Sequence, residues 1–402
     1  MSGEFDPTLE LGFPTDKMLV CGCRGFLTCN DSVGDLCEDI MPNGRHFYDV
    51  LCRYDFLVTY VLGREEAVAG NVPKYALPFL KAHGASDNII YERSKEDLRL
   101  MPEAKTSLEY LAALLPTYIT SSAYEQTMLA IENALDVPLC ESACAESGMD
   151  HCVLGRVASK KLRETADTIS SLEIPDTKYR LNVPMSLDEK DIKIPSVLDE
   201  ALGDGMVETG RAFMESCVPM NSSKKAYRLL DLRRQNGIDL DGTVYIGGDH
   251  TDYQILDLIR DGYGLSMAYN ASDFAIRGST ITVISESATA GAFLTDVFYD
   301  KGIQAVTDLA DSWSRGYLES GDVPDSNLKE RLLSERTPFP KVYVTRKDNM
   351  EDLIEESEKA RARLMRRRCA PAGIRTQVSA SKGLNDWPLH HWSLDPPSAT
   401  DL

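Results

Sequence analysis

The chain has 402 residues, 43% hydrophobic and 26% charged, the composition of a globular protein with room for one large domain or two medium ones. Lys and Arg number 43 against 63 Asp and Glu, a formal net charge of −20. So acidic a surface repels phosphate backbones and anionic lipid, which argues against nucleic-acid binding.

No apolar run approaches the roughly 20 residues that cross a bilayer. Residues 1–15 lack the basic and apolar regions of a signal peptide. A cytoplasmic protein with reduced thiols is therefore expected, and the ten cysteines are too few for a disulfide scaffold. Neither Cys21, Cys23, Cys29 and Cys37 nor Cys140, Cys144, His151 and Cys152 shows the paired C-x-x-C spacing of a zinc site. Buried thiols are the simpler expectation for both groups.

In chain order, 17–21 reads as a buried strand followed by a glycine-rich loop. Residues 45–115 are helical in pattern, with Phe47, Val50, Leu51 and Tyr54 at i, i+3, i+4 and i+7. A helix over 103–115 stops at Pro116, and 117–120 forms a strand ending at Ser121-Ser122. The next helix runs from about 124 to 135. Over 168–205, Pro175, Pro184 and Pro195 interrupt short extended pieces such as 179–183, the pattern of an insertion or small subdomain. Residues 222–236 make a basic helix, 243–247 a strand, and 253–261 a helix; strands follow at 264–269 and 281–285. Beyond 286 the pattern is helical, and the charged helix 348–368 ends in the solvated run Arg366–Arg368. Residues 370–402 lack periodicity and are expected to be disordered. Alternating strands and helices give an α/β fold with a mainly parallel sheet. Such sheets bind ligands at the C-terminal ends of their strands, here the loops after 21, 120 and 247.

Two strings resemble loops of haloacid dehalogenase-like (HAD) phosphohydrolases. Asp239-Leu240-Asp241-Gly242-Thr243 matches the nucleophile motif D-x-D-G-T. In that family the first Asp attacks phosphorus and the second is general acid/base. The motif must end a buried strand, but the preceding Arg233-Arg234-Gln235-Asn236-Gly237 is polar and turn-like. A helix-to-strand turn is the better reading; a phosphatase with Asp239 as nucleophile requires Asp239 to end a central strand.

The second string, Thr243-Val244-Tyr245-Ile246-Gly247-Gly248-Asp249-His250-Thr251-Asp252, resembles the last motif of the family, V-Y-V-G-D-S-I-T-D. Gly264 to Ala271 resembles the following G-x-A-V-A-F-N-G strand, and Thr280 to Ser285 the closing strand. The resemblance places the phosphate-binding Lys at Lys224 or Lys225 and the phosphate-binding hydroxyl at Ser121. It places the nucleophile motif at Gly22-Cys23-Arg24-Gly25. Four motifs in order, over about 17–290, imply a Rossmann-like HAD core with a parallel sheet made of 17–44, 106–150 and 218–290. A helical cap, 45–105, is inserted after the first strand, with a second insertion at 151–217 and a helical C-terminal extension at 291–369. Within the superfamily the chain most resembles archaeal proteins called energy-converting hydrogenase A subunit R, found in methanogens. The words that recur there are Arg-Tyr-Asp, Leu-Pro-Phe-Leu-Lys-Ala and Ser-Tyr-Glu, here Arg53-Tyr54-Asp55, Leu77-Pro78-Phe79-Leu80-Lys81-Ala82 and Ala123-Tyr124-Glu125.

The departures from the family pattern weigh more than the match. Gly22 stands at the nucleophile, Arg24 at the acid/base, and Gly248 at the first acidic position of the last motif, with Asp249 adjacent and Asp252 retained. Glycine cannot attack phosphorus, and Arg stays protonated near neutral pH. Losing both groups implies a rate loss on the order of 10⁴-fold or more. Cys21 or Cys23 would need a depressed thiol pKa to substitute, and His250 is a candidate surrogate base.

Arg24, Ser121, Lys224, Lys225 and the N–H groups of 22–25 remain as a phosphate-binding set. The expected function is a HAD-like protein without phosphohydrolase chemistry that binds a small phosphorylated ligand or a protein partner. In a purely structural version, Arg24 pairs with Asp249 or Asp252 as a fixed cation. The alternative is an active hydrolase with Mg²⁺ on Asp249 and Asp252; otherwise no cofactor is expected. Phe47, Tyr48, Tyr54, Phe56, Tyr60 and Val61 form either the core of the cap or a face for a partner. The narrower resemblance implies that this partner is a membrane-bound hydrogenase complex.

Overall fold

The computed structural model describes residues 16–137, 139, 141–176, 187–320 and 326–366. Residues 1–15, Cys140, the stretch 177–186 with Pro184, Arg367, Arg368 and the tail 370–402 lie outside the described residues.

Seven strands build one sheet: β1 (Met18–Gly22), β2 (Thr117–Tyr124), β3 (Glu141–Ala145), β4 (Thr243–Gly247), β5 (Leu265–Tyr269), β6 (Ile281–Ile284) and β7 (Lys341–Val344). Their order is β3-β2-β1-β4-β5-β6-β7, parallel throughout except for antiparallel β7. This is a Rossmann-like α/β fold. Strands β1, β4, β5 and β6 are buried along their whole length, as parallel strands covered on both faces must be. Alternate residues enter opposite layers. Leu19 and Cys21 join a core with Ile119, Ile246, Leu108 and Phe293; Met18 and Val20 join one with Tyr245, Leu229, Ile255 and Leu353.

The order of strands reverses its direction of growth at β1, which lies between β2 and β4. Cys21 is level with Ile119 and Ile246, and Gly22 with Thr120. Three strand ends therefore converge where an open α/β sheet leaves a crevice.

The helices Gly44–Phe56, Val72–Ala82, Arg156–Ser170, Glu189–Leu202 and Glu208–Ser216 form a separate layer with its own core. Phe47, Leu51, Leu77 and Phe79 from between β1 and β2 pack there with Leu162, Ile169, Leu198 and Phe213 from after β3. The edge-on Phe47–Phe79 pair, with centroids 5.1 Å apart, lies inside this core. Phe56 meets Phe274 of the sheet domain edge-on and Tyr60 lies tilted against it, at 5.7 and 4.3 Å between centroids. Tyr48 donates to Asp31 at 2.7 Å. The aromatic residues that could have formed a docking face thus hold this layer together and fasten it to the sheet.

Other sequence expectations are corrected. Strand β2 continues to Tyr124, and its helix starts at Glu125. The extended pieces expected around Pro195 are instead the helix Glu189–Leu202, with Pro195 inside it. Arg53 grips Asp191 of that helix through two bonds of 2.7 Å, and Asp188 caps its start. Tertiary contacts outweigh the N–H that Pro195 removes. Strand β7, with an exposed first residue and one buried position, is an edge strand in a region that read as helical. The C-terminal helix, Met350–Arg366, buries Leu353 and Ile354 on the sheet, and Ser357 donates to the Ala271 carbonyl at 2.8 Å. It lies over the loop that follows β5. No helix among the described residues is long and apolar enough to cross a membrane.

Candidate functional site

At the end of β1 the chain makes a tight loop. Gly25 N–H donates to Thr28 O at 2.8 Å, and the N–H groups of Leu27 and Thr28 both donate to Cys23 O. Gly25 has φ +91°, and a Cβ there would lie 2.5 Å from the Tyr269 carbonyl, so the turn requires glycine. The loop presents Arg24 between two carboxylates. Its Nη2 donates to Asp31 Oδ2 at 3.1 Å and its Nη1 to Asp249 Oδ1 at 3.3 Å. Burial alone would weaken the guanidinium's hold on its proton, but Asp31 and Asp249 outweigh it and raise the pKa. Arg24 is a permanent cation.

Strand β4 leads into the loop that holds Asp249 and Asp252. Asp252 is almost wholly buried and fully satisfied. Its Oδ2 accepts the N–H groups of Gly248 and Asp249, both at 2.9 Å. Its Oδ1 accepts Tyr245 OH and Lys225 Nζ, both at 2.7 Å. Lys225 also donates to Thr251 Oγ1 at 2.9 Å, and the Tyr245 hydroxyl lies 3.2 Å from Thr120 Oγ1. Lys225 therefore reaches the site. The charge of Lys224 acts instead on Cys217 of the helical-layer core.

Asp249 is shared by two guanidinium groups. The second belongs to Arg361 of the C-terminal helix, whose Nη2 donates to the same Oδ1 that Arg24 reaches. Arg361 Nη1 donates to the carbonyls of Gly248 at 2.5 Å and Asn270 at 3.4 Å. Burial pushes the Asp249 carboxyl upward, yet Arg24 and Arg361 together hold it below the usual carboxylate range. Burial, and then repulsion from Arg24, lowers the pKa of Arg361. Sequence reasoning missed Arg361, Asp31 and the role of Tyr245. A tyrosine in a central parallel strand was the available clue to a buried hydroxyl partner.

Gly22 has space. A Cβ there would find Asp252 Oδ2 at 3.6 Å as its nearest neighbour, an ordinary contact. Gly248 has none, since a Cβ would lie 2.6 Å from the Tyr269 carbonyl. A side chain at 248 would force this loop to shift, and Asp249 faces the site instead. Ser121 is buried beside Cys23, and its Oγ accepts Ala123 N–H at 3.2 Å.

The remaining candidates fall elsewhere. Burial drives the Cys21 thiol well above its ordinary pKa and pushes Cys23 up to about 12, despite Ser121 and Lys225. Neither is a thiolate near neutral pH. Cys23 and Cys29 lie against the sulfurs of Met128 and Met101, and Cys37 is in the helical-layer core. Among the described residues no three His, Cys, Asp or Glu side chains converge as a metal site. Asp239 sits in a turn before β4 with 89% of its side chain exposed, paired to Arg233 at 2.8 Å. It does not end a strand, which removes it as a nucleophile. His250 Nε2 lies 3.9 Å from Asp55 of the helical layer.

The donor set does not fit Mg²⁺. Position 22 offers no carboxylate, Asp249 lies between two guanidinium groups, and both oxygens of Asp252 are occupied by donors.

No protein-family model matches this chain, and no curated protein matches it in sequence. Gene product AF1437 from Archaeoglobus fulgidus has a similar structure, with a TM-score of 0.70 and 19% identity over 87% of this chain and 96% of that one. At that identity the likeness shows the fold alone. Two phosphoserine phosphatase structures, the apo form and a phospho-aspartyl intermediate analogue, have TM-scores of 0.36 and 0.38 at 12% identity. They cover 66% and 67% of this chain and 92% and 93% of their own, and likenesses this loose carry no weight.

Proposed function

We propose that this chain is a HAD-like protein that has lost phosphohydrolase chemistry and uses the strand-end site to bind a small phosphorylated ligand. One observation carries the reading: β1 ends in Gly22 and delivers Arg24, whose guanidinium lies 3.3 Å from Asp249. A phosphoryl group in that crevice meets a fixed cation where an HAD phosphatase supplies a nucleophile, an acid/base and a metal. Burial holds the Cys23 thiol protonated near neutral pH, so it offers no substitute nucleophile.

What supports binding is the set of donors left in place. Arg24 and Lys225 are held by their own carboxylate partners, and Ser121 stands within β2, just past Thr120, where the pairing with β3 shifts register. Guanidinium groups recognise phosphate through paired N–H donors and need no metal to do so. The alternative hydrolase needs Asp249 and Asp252 for Mg²⁺, and both are committed to other partners.

Of the words shared with the hydrogenase subunit, Arg53-Tyr54-Asp55 serves the helical layer. Arg53 binds Asp191, Tyr54 donates to Asp199 at 2.8 Å, and Asp55 accepts the Gly70 N–H at 2.8 Å. They bear on how that layer folds, and a hydrogenase partner rests on the sequence likeness alone.

Calorimetric titration with inorganic phosphate and simple phosphomonoesters tests the reading. Saturable binding that is unchanged by EDTA is expected. No binding, or binding that appears only with Mg²⁺, would overturn it.

A further inference from the structure

We propose that Arg361, carried by the C-terminal helix, is the second guanidinium of the anion site and grips a phosphoryl group jointly with Arg24. The inference rests on the phospho-ligand reading and assigns it a residue that none of the four sequence motifs contains.

Three observations meet here. Arg24 and Arg361 come from opposite ends of the chain, yet both donate to Asp249 Oδ1. Their side chains and that of Asp249 are 19%, 15% and 21% exposed, so the group touches solvent from within a buried frame. Second, Arg361 is built into place. Its Nη1 is fixed on the carbonyls of Gly248 and Asn270, and the helix behind it is anchored by Ser357 on Ala271 and by buried Leu353, Ile354 and Leu364. A pre-positioned guanidinium loses little freedom when it binds an oxyanion.

The third observation is the charge balance. Arg24, Arg361 and Lys225 face Asp249 and Asp252, while Asp31 is shared with Arg45 at 3.2 Å. Arg45 also pairs with Asp49 at 3.2 Å, so the four cations are matched by four carboxylates, in a chain of net charge −20, and the two guanidinium groups are held together on one carboxylate oxygen. Repulsion from Arg24 is one of the forces that lower the pKa of Arg361. A phosphoryl oxyanion between the two would relieve that repulsion, sharing or replacing Asp249 as their common acceptor. The two guanidinium groups would then do for the ligand what a divalent cation does elsewhere, and a chelator could not remove them.

The test is binding of inorganic phosphate in EDTA to the full-length protein and three variants. Arg361→Gln should weaken binding about tenfold to a hundredfold, the loss of a charge-assisted contact. Arg361→Lys keeps the charge but not the fork; it should bind between native and Arg361→Gln. It also serves if the glutamine variant fails to fold, because a lysine that binds as tightly as native would refute a guanidinium grip. Arg363→Gln, on the exposed side of the same helix, should bind like native. Native binding with an equal affinity in folded Arg361→Gln sinks this inference and leaves the phospho-ligand reading standing. Absence of binding in the native protein sinks both.

Discussion

Replacing Lys225 with methionine should destabilise the sheet domain by about 3 kcal/mol, the lower end of the range for breaking a buried ion pair. The side chains of Lys225 and Asp252 are 3% and 4% exposed, with 2.7 Å between Nζ and Oδ1. Removing the ammonium leaves the Asp252 charge buried on three donors: Tyr245 OH and the N–H groups of Gly248 and Asp249. Those three keep the cost from reaching the roughly 5 kcal/mol of an abandoned charge. The deletion also strips Thr251 Oγ1 of its Lys225 donor. Urea denaturation of native, Lys225→Met, Asp252→Asn and the double variant closes a mutant cycle. The double variant should be more stable than the sum of the two losses by more than about 1 kcal/mol, since the second change removes the charge the first one stranded. A Lys225→Met cost below about 0.5 kcal/mol, or simple additivity, would refute the claim that this pair is the buried electrostatic centre of the site.

The depressed Asp249 carboxyl links stability to pH. Its contribution is present above the unfolded value of about 3.9 and is lost as pH falls from there toward the lower folded value. Acid titration of native against Asp249→Asn should show the native curve falling more steeply below about pH 4, and parallel curves would contradict the pairing with Arg24 and Arg361. Gly248→Ala should cost about 1–3 kcal/mol from a Cβ 2.6 Å from a carbonyl oxygen, whereas Gly22→Ala should cost far less; equal thermal midpoints for the two would contradict the packing described. Cys21 and Cys23 should resist iodoacetamide at pH 8 in the folded protein and react once urea unfolds it, as peptide mass mapping reads directly.

The strands that build the site were legible because parallel strands buried on both faces leave unbroken apolar runs, as in Leu19-Val20-Cys21 and Val244-Tyr245-Ile246. The loops after them were legible because a crevice at a strand-order reversal needs particular residues at the strand ends: Arg24 after β1, Ser121 in β2, and Asp249 and Asp252 after β4. The choice between Lys224 and Lys225 was not, since one residue rotates a helical side chain by about 100° and only the docked helix fixes which one faces inward. Arg361 had no local signal at all. It sits on a charged helix like many surface arginines, and its role arises from where that helix docks, about 340 residues from Arg24 in sequence. The helix around Pro195 was hidden for the opposite reason. A strong local breaker is present, and Arg53 on Asp191 and Arg64 on Asp199 hold the helix from outside. Strand β7 is four residues long with only Val342 fully buried, too little for an alternation to register.

Phosphate release from a panel of phosphomonoesters with Mg²⁺ tests the central claim most directly, run on the native protein beside Gly22→Asp, Arg24→Asp. The pair omits position 248, where a side chain would have to displace the Tyr269 carbonyl. The native protein should fall at least about 10⁴-fold below an ordinary turnover of about 10 s⁻¹, that is, below about 10⁻³ s⁻¹ on every ester. Native turnover of about 1 s⁻¹ or faster on any of them would contradict the account.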